Sequence, residues 1–260
     1  MANRIRISRR KEYREKLYLY LNLTKRLNAK LKKFFRKTAR KVATKYRQGI
    51  FLENIFIIEY TDELYKILAN HYRVVIEVNA ERLFRQREKK GASETLDIVE
   101  AFVGTHTGQA VSFITNTSLL NLRKTISKSI ADGDSIEEIA KEIVQSNAFS
   151  STRATLIART ETHTAMNEGN LEITKKLALS NPVKEWNNAL DDRSRWWHKS
   201  MDTGDSIPID EDFVVLTPTK YGGMQPINMS YAGDSRGGAI NVCNCRCFTT
   251  YYDEEDEILT

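Results

Sequence analysis

The stretch Ile157-Ala158-Arg159-Thr160-Glu161-Thr162-His163-Thr164-Ala165-Met166-Asn167-Glu168-Gly169 decides how this chain divides. It has no proline, and no glycine until its last position. Apolar or small residues recur at Ala154, Ile157, Ala158, Thr164 and Ala165, so it reads as a helix with one inward stripe. Glu161 lies one turn after Ile157 and one turn before Ala165, and joins that stripe. An inward carboxylate needs a cation or hydrogen-bond donors. Two readings stay open: Glu161 belongs to a polar site, or it sits half exposed at the edge of the stripe. The helix is predicted from Ser150–Thr152 to about 179, where Asn181-Pro182 ends it.

Working back from this helix, the pattern is helical almost throughout. A long helix is predicted over 10–48, with apolar or aromatic residues such as Tyr13, Leu17, Tyr20, Leu27, Leu31 and Phe35 near helical spacing and Gly49 as its stop. Residues 50–60 form an apolar and aromatic run. Thr61-Asp62-Glu63 begins a helix to about 89, broken by Gly91. Ser93 caps another over 94–116, in which Gly104 and Gly108 permit close packing or a kink. Shorter helices follow at 118–131, ended by Asp132-Gly133, and at 135–146.

Working forward, the helical period stops. Val183–Asn187, Phe213–Leu216 and Phe248–Tyr252 read as strands separated by glycine-rich turns. The fold class is therefore α+β: a mostly helical N-terminal region, then a small mixed α+β C-terminal domain. The divisions read as a basic helical arm (1–50), a helical region (51–117), the domain containing the quoted stretch (118–252) and an acidic tail (253–260).

The net charge of +6 hides an asymmetry. Residues 1–50 hold 18 Lys and Arg against two Glu, whereas the remaining 210 residues hold 22 against 32 acids. A basic face of Lys25, Arg26, Lys30, Lys32, Lys33, Arg36, Lys37, Arg40 and Lys41 suits phosphates contacted without base reading. The plainer reading is a solvated charged face on a packed helix; a membrane surface is a lesser option. No apolar run long enough to span a bilayer occurs, and the basic N-terminus lacks the apolar core of a secretory signal, so synthesis in a cytoplasm is expected. All three cysteines fall at 243, 245 and 247, which is no disulfide framework.

Three groups could carry chemistry: Glu161 with Arg159 and Asn167; the run Trp186–His198; and Asn241–Cys247. Thiols and a histidine suggest zinc. On an extended strand, however, Cys243 and Cys247 would lie about 13 Å apart, too far to share one ion. A three-cysteine site needs a turn at Asn244–Arg246; two cysteines with His198 and an Asp is easier, and His198, Cys245 and Cys247 are the candidate ligands. The plainer reading is small, buried, reduced cysteines. The cluster Asp192, Arg193, Arg195, His198 fits a hydrolase or a buried ion-pair network reaching Glu161. No Ser-His-Asp spacing, phosphate-binding loop or dinucleotide glycine pattern supports a particular reaction.

Taken in order, these groups resemble a known family. Ala158-Arg159-Thr160-Glu161, Ala165, Asn167 and Gly169, then Trp186, then Asp192-Arg193, Arg195 and His198, then Phe213, Pro226 and Asn244-Cys245-Arg246-Cys247, are similar to the phage head morphogenesis (minor capsid) proteins, the group of phage Mu protein F and phage SPP1 protein 7. The resemblance covers about 118–252. It implies a structural protein rather than an enzyme, present in few copies inside the capsid of the virion after assembly in the host cytoplasm. The partners it implies are the portal protein, packaged double-stranded DNA, and a scaffold or major capsid protein, with no membrane during assembly. In that setting the basic arm lies among phosphates, and Glu161, Asn167, Asp192, Arg193, Arg195 and His198 converge as a structural polar core. Cys243 and Asp191 are additions to the family's pattern and leave zinc open as a cofactor. The alternative is a metal-dependent hydrolase acting on nucleic acid, with His198 and Asp192 at its centre. A nucleic-acid-binding protein unrelated to capsids is a third reading.

Overall fold

Helix signals set the first two-thirds of the chain. In the computed structural model, which describes residues 2–50, 60–86, 92–177, 179–189 and 191–254, the helices are α1 (Ala2–Arg47), α2 (Thr61–Gln86), α3 (Ala92–Ala131), α4 (Ile136–Gln145) and α5 (Ser151–Lys176). The apolar run at 51–59, the predicted break at Gly91 and the acidic residues from 255 onward lie outside the described residues. α4 starts as its sequence dictates: Ser135 Oγ accepts from the Glu138 amide, and the Glu138 carboxylate accepts from the Ser135 amide at 2.7 Å, a capping box. The turn before it needs Gly133, whose φ is +81°.

Two helix predictions are corrected. α1 begins near residue 2 rather than 10, since no proline or glycine interrupts it. The helices predicted at 94–116 and 118–131 are one, α3. The polar run there is accommodated within the helix: Thr117 Oγ1 donates to Phe113 O and Ser118 Oγ to Ile114 O, each at 2.8 Å. Gly104 and Gly108 mark no close approach, for a Cβ at either would meet nothing within 4 Å.

After α5 come β1 (Pro182–Asn187), the short α6 (Trp196–Lys199), β2 (Ser206–Pro208), β3 (Phe213–Pro218), β4 (Met224–Met229), α7 (Gly238–Val242) and β5 (Phe248–Asp253). β1 is the centre of an antiparallel sheet in the order β2-β1-β5, with Pro182 opposite Asp253 and Asn187 opposite Phe248. β3 and β4 form a separate antiparallel pair. The fold class is thus α+β, with a helical N-terminal part and a small C-terminal region of antiparallel sheets and helices. Asp253 is buried at the end of β5, where its carboxylate accepts the amides of Ser180 (2.8 Å) and Asn181 (3.0 Å).

The chain forms two compact units, each built from separated stretches. The helical unit comprises Thr24–Arg73 and Ala101–Ala158. Its core takes Leu27, Leu31, Phe35, Leu64, Leu68 and Ile143, all without exposure. Arg153 ties it, donating to Ser118 Oγ (2.8 Å), Ala148 O (2.7 Å) and Ile114 O (2.9 Å). The mixed unit comprises Met1–Leu23, Val74–Glu100 and Arg159–Thr260. One of its core clusters holds Trp186, Phe213, Val215, Met229, Cys245 and Cys247. Gly169 lets α5 approach α2 within this unit, because a Cβ there would sit 3.2 Å from Ile76.

Lys184 is an inward lysine on β1, its ammonium donating to Ser230 O at 2.8 Å and lying 5.2 Å from the Phe213 ring. Burial pulls its pKa down to about 8. Between that value and the unfolded one, near 10.4, the unfolded chain holds the extra proton, so stability rises with pH. Compared with Lys184→Met, the native chain is expected to gain about 2 kcal/mol from pH 8 to 10 in urea denaturation. Parallel pH curves for the two proteins would refute this.

Candidate functional site

Two features remain once packing is accounted for: the charged face of α1 and a polar cluster beneath the C-terminal turn. On α1, Leu27, Leu31, Phe34, Phe35 and Val42 face inward, so the residues between them face out. Lys25, Arg26, Lys30, Lys33, Arg36, Lys37 and Arg40 are exposed, whereas Lys32 and Lys41 are half-buried. Lys37 is held by Glu63 at 2.8 Å, a surface pair of little energetic weight.

The cluster is built by a turn. α7 ends at Val242, and Asn244 adopts φ +57°, the left-handed conformation that asparagine tolerates better than most residues. α5 holds this turn from below: Thr160 Oγ1 accepts the Asn244 amide at 3.1 Å, and Arg159 donates to Asn244 Oδ1 at 3.3 Å. Arg195, half-buried, donates to Cys243 O at 2.7 Å. Burial pushes the Cys243 thiol pKa up, Arg195 opposes this and Glu161 adds to it.

Beyond the turn, Cys245 and Cys247 point to the same place. His198, on α6, meets both: its Nδ1 lies 3.5 Å from each sulfur. The three ligand atoms fall within 4.8 Å of one another, and the residues are 1–2% exposed. Cys245 is held low chiefly by a hydrogen bond from Cys247, and the same bond, with burial, pushes Cys247 up.

Asn241 fixes the histidine. Its Nδ2 donates to Thr217 Oγ1 (2.9 Å) and Gly237 O (3.0 Å), which leaves Oδ1 as the acceptor for Trp197 Nε1 (2.8 Å) and His198 Nε2 (3.1 Å). His198 therefore carries its hydrogen on Nε2 and turns the Nδ1 lone pair to the sulfurs.

A second polar group joins α5 to β5. Asn167, without exposure, donates to His163 O at 3.1 Å and accepts the Thr249 amide at 2.9 Å. His163 Nε2 bonds the Cys247 carbonyl.

Of the residues assigned to a polar core, Asn167 and His198 are buried, and Glu161 and Arg195 are half-buried around the turn. Asp192 and Arg193 are not brought in: both are exposed. Asp191 is the acid that forms an ion pair, with Arg246, at the partly exposed edge of the turn. The sequence reasoning gave no role to His163, although it stands one turn before Asn167 on the quoted helix, and it placed Asn241 at the head of the cysteine group without assigning it the part of fixing His198. It also missed the Asp212–Arg236 pair, two bonds of 2.9 Å that hold the Asp212 pKa down to about 2.

Among the described residues, no helix is long and apolar enough to cross a membrane. No solved structure matches the chain. It is similar to the minor head protein GP7 of Bacillus phage SPP1, with 31% identity over 134 residues, 50% of this chain and 40% of that protein. The chain thus spans about two-fifths of that relative's length. A family model described as Phage Mu protein F like protein matches residues 121–250, the reach from the end of α3 through α5 and the cysteine turn to β5. Matched over half its length, the chain belongs to the Phage Mu protein F like family.

Proposed function

We propose that this chain is a phage minor head protein. It is a structural component rather than an enzyme, carried in few copies inside the capsid after assembly in the host cytoplasm. In this reading it docks on the portal, beside scaffold or major capsid protein, and meets packaged double-stranded DNA through α1. The family and the similarity to a minor head protein support the first part. One observation carries the second: on α1, Lys25, Arg26, Lys30, Lys33, Arg36 and Arg40 are exposed between buried apolar positions. Such a face tracks phosphates and ignores sequence.

Six phosphate contacts give a slope of about −5 in log affinity against log salt, and an affinity loss of about a thousandfold between 50 and 200 mM salt. Replacing those six residues with glutamine is expected to flatten the slope and abolish binding to a DNA duplex at physiological salt, with circular dichroism unchanged. A variant that binds DNA like the native chain would remove α1 from the interface. Quantitative mass spectrometry of full and empty particles tests the location: a few copies per head, retained with portal, support it, and absence from all particles overturns it.

A further inference from the structure

From the cluster beneath the turn we infer that His198 Nδ1, Cys245 Sγ and Cys247 Sγ hold one zinc ion, which fastens α6 to the segment entering β5. Three independent observations point there.

The first is spacing. A tetrahedral zinc bound at about 2.3 Å by sulfur and about 2.0–2.1 Å by nitrogen sets its sulfur and nitrogen ligands about 3.6 Å apart. Both Nδ1–sulfur distances are 3.5 Å. Both nitrogen–sulfur distances thus match the requirement, and the third side of the triangle, between the sulfurs, is no longer than 4.8 Å.

The second is the tautomer. A metal-bound histidine donates its other N–H to a fixed acceptor, which aims the ring. His198 does this to Asn241 Oδ1, and Asn241 cannot turn over because its amide nitrogen is committed to Thr217 and Gly237. In the absence of an ion, one lone pair faces two thiols, and only one S–H can use it.

The third is charge. Two thiolates and a neutral imidazole exactly offset a divalent cation, so the filled site is neutral in a place with almost no water contact. Soft thiolate donors with imidazole select zinc over magnesium or calcium.

Burial also decides the role. A catalytic zinc keeps a position open to substrate. Here all three ligand residues are at most 2% exposed, so no substrate reaches the ion and it acts as a staple, with a neutral water as its fourth ligand. Cys243, half-buried outside the cluster, takes no part.

The test uses the full chain stripped of metal and titrated with cobalt(II). One cobalt per chain is expected, with the intense visible bands of a tetrahedral site and sulfur-to-cobalt charge transfer. Zinc should displace the cobalt and raise the melting temperature. Cys243→Ser should keep the spectrum; Cys245→Ser and Cys247→Ser should each lose charge-transfer intensity. The native chain supplies the decisive reading, because the serine variants can also lose the fold. Native, folded protein that takes up neither cobalt nor zinc would overturn the inference. So would a spectrum lost on Cys243→Ser and kept on Cys245→Ser.

Discussion

Replacing Gly233 with alanine is expected to destabilise the mixed unit by about 3 kcal/mol or more. Gly233 has φ +93°, where an L-residue is strained by about 1–2 kcal/mol. The new Cβ would also stand 2.5 Å from His163 Nδ1 and 2.8 Å from its Cε1. That ring is fully buried and bonded to the Cys247 carbonyl, so it cannot withdraw without disturbing the approach to the cysteine cluster. Overpacking of this kind adds about 1–3 kcal/mol. All three tryptophans, Trp186, Trp196 and Trp197, lie in the mixed unit, so the midpoint of their fluorescence change in urea reads that unit alone. Gly104→Ala is the contrast. It lies in the part of α3 that belongs to the helical unit, with nothing within 4 Å of a Cβ, so it is expected to leave the tryptophan midpoint unmoved and to stabilise that unit by up to about 1 kcal/mol, read by circular dichroism. A Gly233→Ala midpoint equal to the native one would refute the account of this contact.

Removing the Asn167 side chain is expected to cost about as much. Asn167→Ala leaves the buried Thr249 amide without an acceptor and the His163 carbonyl without its side-chain donor. An orphaned buried group costs about 1–3 kcal/mol, and the vacated volume adds to it, giving about 3 kcal/mol in total. Asn167→Asp is expected to be no milder at neutral pH. It sets an oxygen where the amide nitrogen faces two carbonyls, His163 O at 3.1 Å and Cys247 O at 3.5 Å. Such a site raises the carboxyl pKa in the folded state, so the folded chain binds more protons and the deficit should shrink as pH falls. Denaturation at neutral and acidic pH checks both variants. A loss below about 1 kcal/mol for Asn167→Ala would mean that the pairing of α5 with β5 does not depend on this side chain.

The helices were legible because each buries one stripe, and a stripe leaves a period in the sequence. α5 was readable to within three residues at its C-terminus for that reason. β1, β3 and β5 were readable from their aromatic and β-branched runs. β2 is three residues long, and β4 carries Pro226, which argues against a strand except at an edge such as the one it occupies opposite Leu216. The grouping of His198, Cys245 and Cys247 was legible in the sequence and is the one the structure brings together; the shape of the turn before it was not. An extended Cys243–Cys247 spreads the sulfurs, but Asn244 turns the chain, and composition does not announce a positive φ at asparagine. Asp191 and Asp192 are adjacent acids, and sequence cannot say which of two neighbours meets a given cation; here it is Asp191 that pairs with Arg246.

The mixed unit uses the first and the last parts of the described chain together. Lys16, buried on α1, donates to Thr249 O across 233 residues, and the rings of Tyr13 and Tyr20 stand edge-on to Phe248 at 5.6 and 5.7 Å. A ribosome delivers Lys16 more than two hundred residues before β5 exists. The stretches of the helical unit are all made by residue 158, so that unit can close during synthesis. The early turns of α1 must wait, with a lysine and two tyrosines unsheltered, until the final strand emerges. Translation that stops short of Phe248 therefore yields a chain with a finished helical unit and an apolar seam that nothing in that chain can cover, a substrate for proteases and aggregation rather than for assembly.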